Sequence, residues 1–154
     1  MNKTIKGFTL VELLVVIAII GILASIVLVA FPGATKKAKD SRIVGAISQA
    51  RTVMVYVYGN DGNYDNYSCT VPADEMPPLC LEVYNNSVPK ANPTIAHSPA
   101  SDSTAACIYS LLNAKASYWY CADSTGKAGF TTTDPGGTNL CVPNTSAVCP
   151  TVTG

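Results

Sequence analysis

Phe8 to Phe31 is a run of twenty-four residues with a single ionisable side chain, Glu12. Only Thr9, Gly21 and Ser25 otherwise interrupt its apolar character. As a helix rising ~1.5 Å per residue it reaches about 36 Å, enough for a ~30 Å hydrocarbon core. The run is also longer than the ~7–15 apolar residues of a cleaved signal peptide. A membrane span is therefore expected. A carboxylate inside a span costs on the order of 2.5–3.5 kcal/mol near the bilayer centre and less toward an end. Glu12 asks for a reason that a plain anchor does not supply.

The string Gly7-Phe8-Thr9-Leu10-Val11-Glu12 stands behind a short leader containing Lys3 and Lys6, and ahead of the apolar run. A small residue, an aromatic, a Glu four positions later and a long apolar helix together resemble the processing site of type IV pilins and pseudopilins. The resemblance covers roughly the first thirty residues. It implies cleavage between Gly7 and Phe8 by a prepilin peptidase, then methylation of the new amine on Phe8. It also implies that Glu12 pairs with the terminal amine of a neighbouring subunit during assembly. That accords with the tendency of a charge in lipid to seek its opposite.

Setting aside residues 1–34 as leader and anchor leaves 120 residues, one small soluble domain. The formal charge is zero, and loss of Lys3 and Lys6 with the leader leaves eight basic and ten acidic side chains. Bulk charge thus gives no indication of a nucleic-acid partner. Six cysteines follow the span: Cys69, Cys80, Cys107, Cys121, Cys141 and Cys149. An even number in a small domain beyond a membrane span suggests three disulfides in an oxidising compartment. There is no C-x-x-C and one histidine, His97, so neither a metal site nor a cofactor is expected. Cations flank the span on both sides, Lys3 and Lys6 before it and Lys36, Lys37, Lys39 and Arg42 after it. The positive-inside rule therefore does not fix the orientation. The cysteines and the leader resemblance put the C-terminal domain outside.

The expected fold is α+β: a long N-terminal helix, half transmembrane and half amphipathic, packed on a small antiparallel sheet with disulfide-rich loops. Its parts are a leader (1–7), a membrane or filament-core helix (8–33), an amphipathic helix (34–58), a Pro-rich connecting region (59–104), a β-sheet (105–133) and a C-terminal loop (134–154). Gly21 and Pro32 are weak points where the helix is expected to kink or break. By resemblance, the stretch between them is where the helix loosens inside a filament. Ile43, Ile47, Ala50, Met54 and Tyr58 form a core stripe, while Lys36, Lys37, Lys39, Asp40 and Arg42 solvate the early turns. Val53 to Tyr58 is nonetheless strand-like in composition. The loop from Gly59 to Asn66 is turn chemistry. Its Asp61, Asn63 and Asp65 alternate like calcium ligands, but Asn66 and Pro72 stand where the EF-hand pattern needs Gly and Glu.

Six prolines between Tyr67 and Thr104 argue against long helices and interior strands. There Leu79 to Tyr84 is expected to pair at an edge, and His97 to lie exposed. Ala106 to Leu112 and Ala116 to Ala122 read as a hairpin, followed by a strand from Lys127 to Thr133. Centring the turn on Ala114 sets Leu111 opposite Ser117, Tyr109 opposite Trp119 and Cys107 opposite Cys121, all on one face. That register makes a Cys107–Cys121 bond plausible. Six cysteines allow fifteen pairings. With Cys107–Cys121 fixed three remain, of which Cys69–Cys80 with Cys141–Cys149 is the most local. YWYCADSTGKAG resembles the sheet-forming segment of many pilins, and a Cys141–Cys149 loop would resemble their disulfide-bounded C-terminal region. Asn66, Asn85 and Asn144 begin N-x-S sequons, which mark exposed loops.

No catalytic constellation is present, neither G-x-S-x-G nor a phosphate loop, and the chain is not expected to be an enzyme. The resemblance implies a structural subunit of a type IV pilus, serving adhesion, twitching motility or DNA uptake. It would be held in the inner membrane with its C-terminal domain outside, then polymerised into an extracellular filament. Its implied partners are like subunits, the prepilin peptidase and an inner-membrane assembly platform. Two other readings keep the same anchor: a pseudopilin of a type II secretion system, and a surface-binding protein that does not polymerise.

Overall fold

The computed structural model describes residues 7–70, 76–99, 103–137 and 139–153, the side chain of Ala30 excepted, and residues 1–6 of the expected leader lie outside these. The chain divides into two units, Met1–Thr35 and Lys36–Gly154. Helix α1 (Leu10–Asp61) contributes to both.

Within the first unit, Leu10–Val29 is long and apolar enough to cross a membrane, and none of it is buried. The helix is not broken at Gly21 or Pro32 but continues through both. Proline withholds one donor and crowds the carbonyl four residues back, at ~3 kcal/mol. Propagation along helix on either side outweighs that local loss. The polar residues here bond to their own helix: Ser25 Oγ donates to Gly21 O (2.8 Å) and Thr35 Oγ1 to Pro32 O (3.0 Å).

In the second unit, α1 buries Ile43, Ala46, Ile47, Ala50, Val53, Met54 and Val57. Val57 takes the place expected for Tyr58, which stays exposed and sets its ring 5.1 Å from that of Tyr64. The strand-like run Val53 to Tyr58 is helical, since burial of Val53, Met54 and Val57 on one helical face outweighs β propensity. The Pro-rich region departs from expectation twice. Leu79 to Tyr84 lies in a second helix, α2 (Met76–Asn86), not in an edge strand. Pro77 and Pro78 fall in its first turn, where backbone N–H groups have no helical acceptor in any case. A strand, β1 (Thr94–Ser98), stands between Pro93 and Pro99, at the sheet edge where prolines are tolerated.

β1 joins β2 (Ala105–Leu111), β3 (Trp119–Asp123) and β4 (Ala128–Thr131) in an antiparallel sheet of order β1-β2-β3-β4. One face carries Ala106, Ile108, Leu112, Tyr120 and Ala122 into the main core, with Ile43, Ile47 and Met54 of α1 and Met76, Cys80 and Val83 of α2. The opposite face carries Cys107, which packs with Ala96, Cys141 and Ala147 in a smaller cluster. Cys141 and Ala147 belong to a two-stranded ribbon, β5 (Cys141–Val142) and β6 (Ser146–Ala147). The chain end returns to β4, where Phe130 bridges Thr153. Gly129 permits that approach: a Cβ there would lie 2.6 Å from Thr153 O.

The β2–β3 register is two residues off the expected one. Cys107 faces Asp123, Tyr109 faces Cys121 and Leu111 faces Trp119. The connection is not a tight turn on Ala114 but runs from Leu112 to Tyr118, closed by Leu112 N donating to Tyr118 O (2.8 Å) and passing through Ser117 at φ 52°. A shift of two preserves which face each side chain occupies. It removes the direct juxtaposition on which a Cys107–Cys121 bond depended. The disulfides are Cys69–Cys80, Cys107–Cys141 and Cys121–Cys149. The expected Cys107–Cys121 and Cys141–Cys149 pairs are thereby corrected. Both sheet cysteines point to the face that the C-terminal segment covers, so each reaches across to that segment.

Candidate functional site

The N-terminus of α1 is a helix start with a built-in cap. Thr9 N and Thr9 Oγ1 both donate to Glu12 Oε2 at 2.8 Å, and Glu12 N donates to Thr9 Oγ1 at 3.3 Å. This is the reciprocal box of a Ser or Thr cap with a Glu three residues on, and it satisfies donors that a helix start leaves open. A carboxylate in the first turn also complements the helix dipole. Glu12 Oε1 accepts no bond from a described residue, so it keeps an acceptor for a cation. Around it the surface is apolar: Phe8 is 84% exposed, and Leu10, Val11, Leu13 and Leu14 are exposed as well. Gly7, just before Phe8, is exposed. A greasy cylinder with one acidic, half-satisfied end is suited to lipid or to other apolar helices, and to a positive group at its tip. Thr9 is the member of this cap that the sequence expectations omit, although its T-x-x-E signature is legible there.

Two buried carboxylates organise the second unit, and neither is among the residues expected from sequence to matter. Asp40, expected on the solvated face, is instead buried and accepts from Asn113 N (2.6 Å), Asn113 Nδ2 (2.7 Å) and Ala114 N (2.8 Å). It thereby fastens α1 to the β2–β3 connection. Its signal is its phase, three residues before Ile43 on the core stripe. Asp123 is 1% exposed. Its Oδ1 accepts from Thr125 N, Thr125 Oγ1 and Lys127 N, and its Oδ2 from Cys149 N (2.7 Å). It shapes the β3–β4 turn, where Gly126 sits at φ 101°. It also anchors the backbone of the cysteine that closes on Cys121.

Polar groups elsewhere are committed to structure. His97, expected in an exposed loop, is half-buried in β1, its Nε2 2.6 Å from Tyr67 O. A carbonyl only accepts, so Nε2 carries the proton. In the loop after α1, Asp65 N donates to Asn63 Oδ1 and Asn66 Nδ2 to Asp61 Oδ2. Among the described residues no three His, Cys, Asp or Glu side chains group to hold a metal. An open groove of about 190 Å³ is lined by Val88, Asn92, Thr94, Tyr109, Leu111 and Trp119 among others, with no carboxylate, imidazole, thiol or amine. Burial raises the phenols of Tyr64 and Tyr67 above their ordinary range. Tyr67 is fully buried and donates to Ala50 O (3.0 Å).

Comparison with known proteins converges on the same end of the chain. Residues 2–28 match the family model described as the prokaryotic N-terminal methylation motif. The chain is 49% identical over 49 residues to fimbrial protein Q of Moraxella bovis, covering 32% of this chain and 31% of that one. It is 47% identical over 49 residues to the type IV major alpha-pilin of the same organism, with the same coverage. It is 40% identical over 73 residues to the type IV major pilin protein PilE of Neisseria gonorrhoeae, covering 46% of this chain and 44% of that one. The chain thus matches between about a third and a half of the length of these relatives. No solved structure matches it significantly.

Proposed function

We infer that this chain, which its N-terminal segment assigns to the type IV pilin family, is a structural subunit of a type IV pilus. The carrying observation is the exposed apolar helix Leu10–Val29 with Glu12 capped at its start. Free in water, that surface would drive aggregation; in a bilayer, and then in a filament core of like helices, it is buried throughout. Cleavage between Gly7 and Phe8, with methylation of the new amine, would put a cation close in sequence to a carboxylate that still has Oε1 to offer. Phe8 of one subunit and Glu12 of its neighbour then neutralise each other within the apolar assembly, where an unpaired charge is most costly. The subunit is held in the inner membrane with its disulfide-bonded unit outside. The prepilin peptidase and an assembly platform act on it there, and the extracellular filament follows. Its role is structural, as in a family that is generally not enzymatic.

Mass spectrometry of filaments sheared from cells tests this. The expected species begins at methylated Phe8 and is lighter by six hydrogens than the reduced chain, one pair for each of its three disulfides. A chain that retains Gly7 and never enters a sheared polymer would overturn the reading.

A further inference from the structure

Beyond the apolar run the helix carries a cluster of cations that no described residue of the second unit neutralises. Lys36 and Lys37 are exposed and Lys39 half-exposed, and none bonds or pairs with a described residue. Asp40, the acid nearest to them in sequence, is buried and spends both oxygens on Asn113 and Ala114. Glu82 is engaged by Arg42 at 3.3 Å. Among the described residues, therefore, no acid offsets the charge that the three lysines present, in a chain whose formal charge is zero. Its place along the chain is equally telling. Lys36 stands five residues after Phe31, so at most about 18 Å of chain separates them, however the two units are disposed. A lysine stem reaches several ångströms further while its ammonium seeks a polar partner. Lys37 and Lys39 stand six and eight residues after Phe31, at most about 29 Å of chain, so once the apolar run spans a bilayer the three ammonium groups are held on the side where its phosphate layer is met.

We propose that Lys36, Lys37 and Lys39 form a docking surface for the anionic headgroups of phospholipids in the leaflet from which the second unit emerges. The proposal rests on the membrane stage of the pilin reading and adds to it a lipid preference. Each cation near an anionic surface strengthens binding about fivefold, an effect that fades with salt. The inward turn of Asp40 matters here, since an acid exposed among the lysines would cancel part of that attraction. Charge, more than shape, is the recognised feature, because lysine offers a flexible point charge and not a rigid fork.

The test uses the full chain reconstituted in vesicles of equal parts phosphatidylglycerol and phosphatidylcholine. It is then extracted in mild detergent, and retained lipid is counted by mass spectrometry. The expected result is at least a ~5-fold excess of phosphatidylglycerol at low salt. That excess should collapse toward unity in K36Q/K37Q/K39Q and persist in K36R/K37R/K39R. Retention of the two lipids in the ratio supplied overturns the proposal, as does an unchanged excess in the Gln variant. A Gln variant that keeps its lipid preference but no longer polymerises would show that the lysines meet a neighbouring subunit instead, which also overturns it. Failure of the wild-type chain to enter vesicles at all is a different result, and defeats the membrane reading itself.

Discussion

The two units satisfy their side chains in opposite ways. Among the described residues of Met1–Thr35 the polar groups bond to their own helix, through the Thr9–Glu12 box, Ser25 and Thr35, while the apolar ones are exposed. In Lys36–Gly154 the apolar side chains meet one another, and buried polar groups tie together segments distant in sequence. Asp40 joins α1 to the β2–β3 connection, Asp123 joins β3 to Cys149, and two disulfides cross to the C-terminal segment. One unit is complete as it stands. On the pilin reading, the other is completed when lipid or like helices supply its missing contacts, because exposed apolar area is where the driving force for association resides.

The sharpest way to break the comparison is Glu12→Ala. It should abolish filament formation outright while leaving membrane insertion and the melting temperature of the second unit unchanged, since the bonds of Glu12 are to Thr9, within its own unit. Shearing yield and a thermal melt, made on the same preparations, check both halves. A lowered melting temperature would mean that the units depend on each other. The largest effect within the second unit is expected from Asp123→Ala. It leaves the N–H groups of Thr125, Lys127 and Cys149 without their acceptor, that of Cys149 in a buried site, at roughly 3 kcal/mol in all. That is comparable to losing the Cys121–Cys149 bond, for which ~2–5 kcal/mol is usual. Denaturant unfolding of the variant measures it, and a loss below ~1 kcal/mol would show that water or another donor set replaces the carboxylate.

How much of this is readable in the sequence depends on whether a feature is local. The apolar run, the α+β class, the antiparallel sheet and the core stripe from Ile43 to Met54 follow from periodicities that a chain carries along its own length. The pairing of the two sheet cysteines does not, because it depends on a register fixed by the length of the β2–β3 connection, whose Asn113 and Ala114 bond to Asp40 of α1. A contact separated by about seventy residues has no signature in the hairpin itself. The helix α2 is hidden for another reason. Proline density argues against helix in general, whereas Pro77 and Pro78 sit where a helix tolerates them. Asp40 is hidden among lysines, although its phase with Ile43 and Ile47 puts it on the buried side.

Asp40→Ala sharpens the comparison from the domain side. It removes the acceptor for two backbone N–H groups and one side-chain amide at the β2–β3 connection. A loss of about 2 kcal/mol is expected, smaller than for Asp123 because the site is nearer the surface. Hydrogen exchange should rise first at Asn113 and Ala114. If exchange rises instead across the whole sheet, Asp40 supports the fold and not merely the connection.

The smallest effect concerns Tyr67, and its sign can be worked out. Burial chiefly, with the neighbouring Tyr64 adding to it, raises the Tyr67 phenol well above the ~10 of an unfolded tyrosine. Below pH ~10 both states keep the proton and the contribution is fully present. Above it the unfolded chain releases the proton while the native chain holds it, so stability falls by ~1.4 kcal/mol per pH unit until the native value is reached. Tyr67→Phe should therefore cost ~1 kcal/mol at pH 7, the bond to Ala50 O being lost. It should also flatten the alkaline decline, leaving the weaker part due to Tyr64, whose phenol is raised for the same cause. Urea unfolding of both chains from pH 8 to 11 reads this directly, since their difference should stay constant up to about pH 10 and narrow beyond it. A difference that stays constant across the whole range would mean that Tyr67 ionises as easily folded as unfolded. Its proton would then owe nothing to burial between α1 and the loop that follows it.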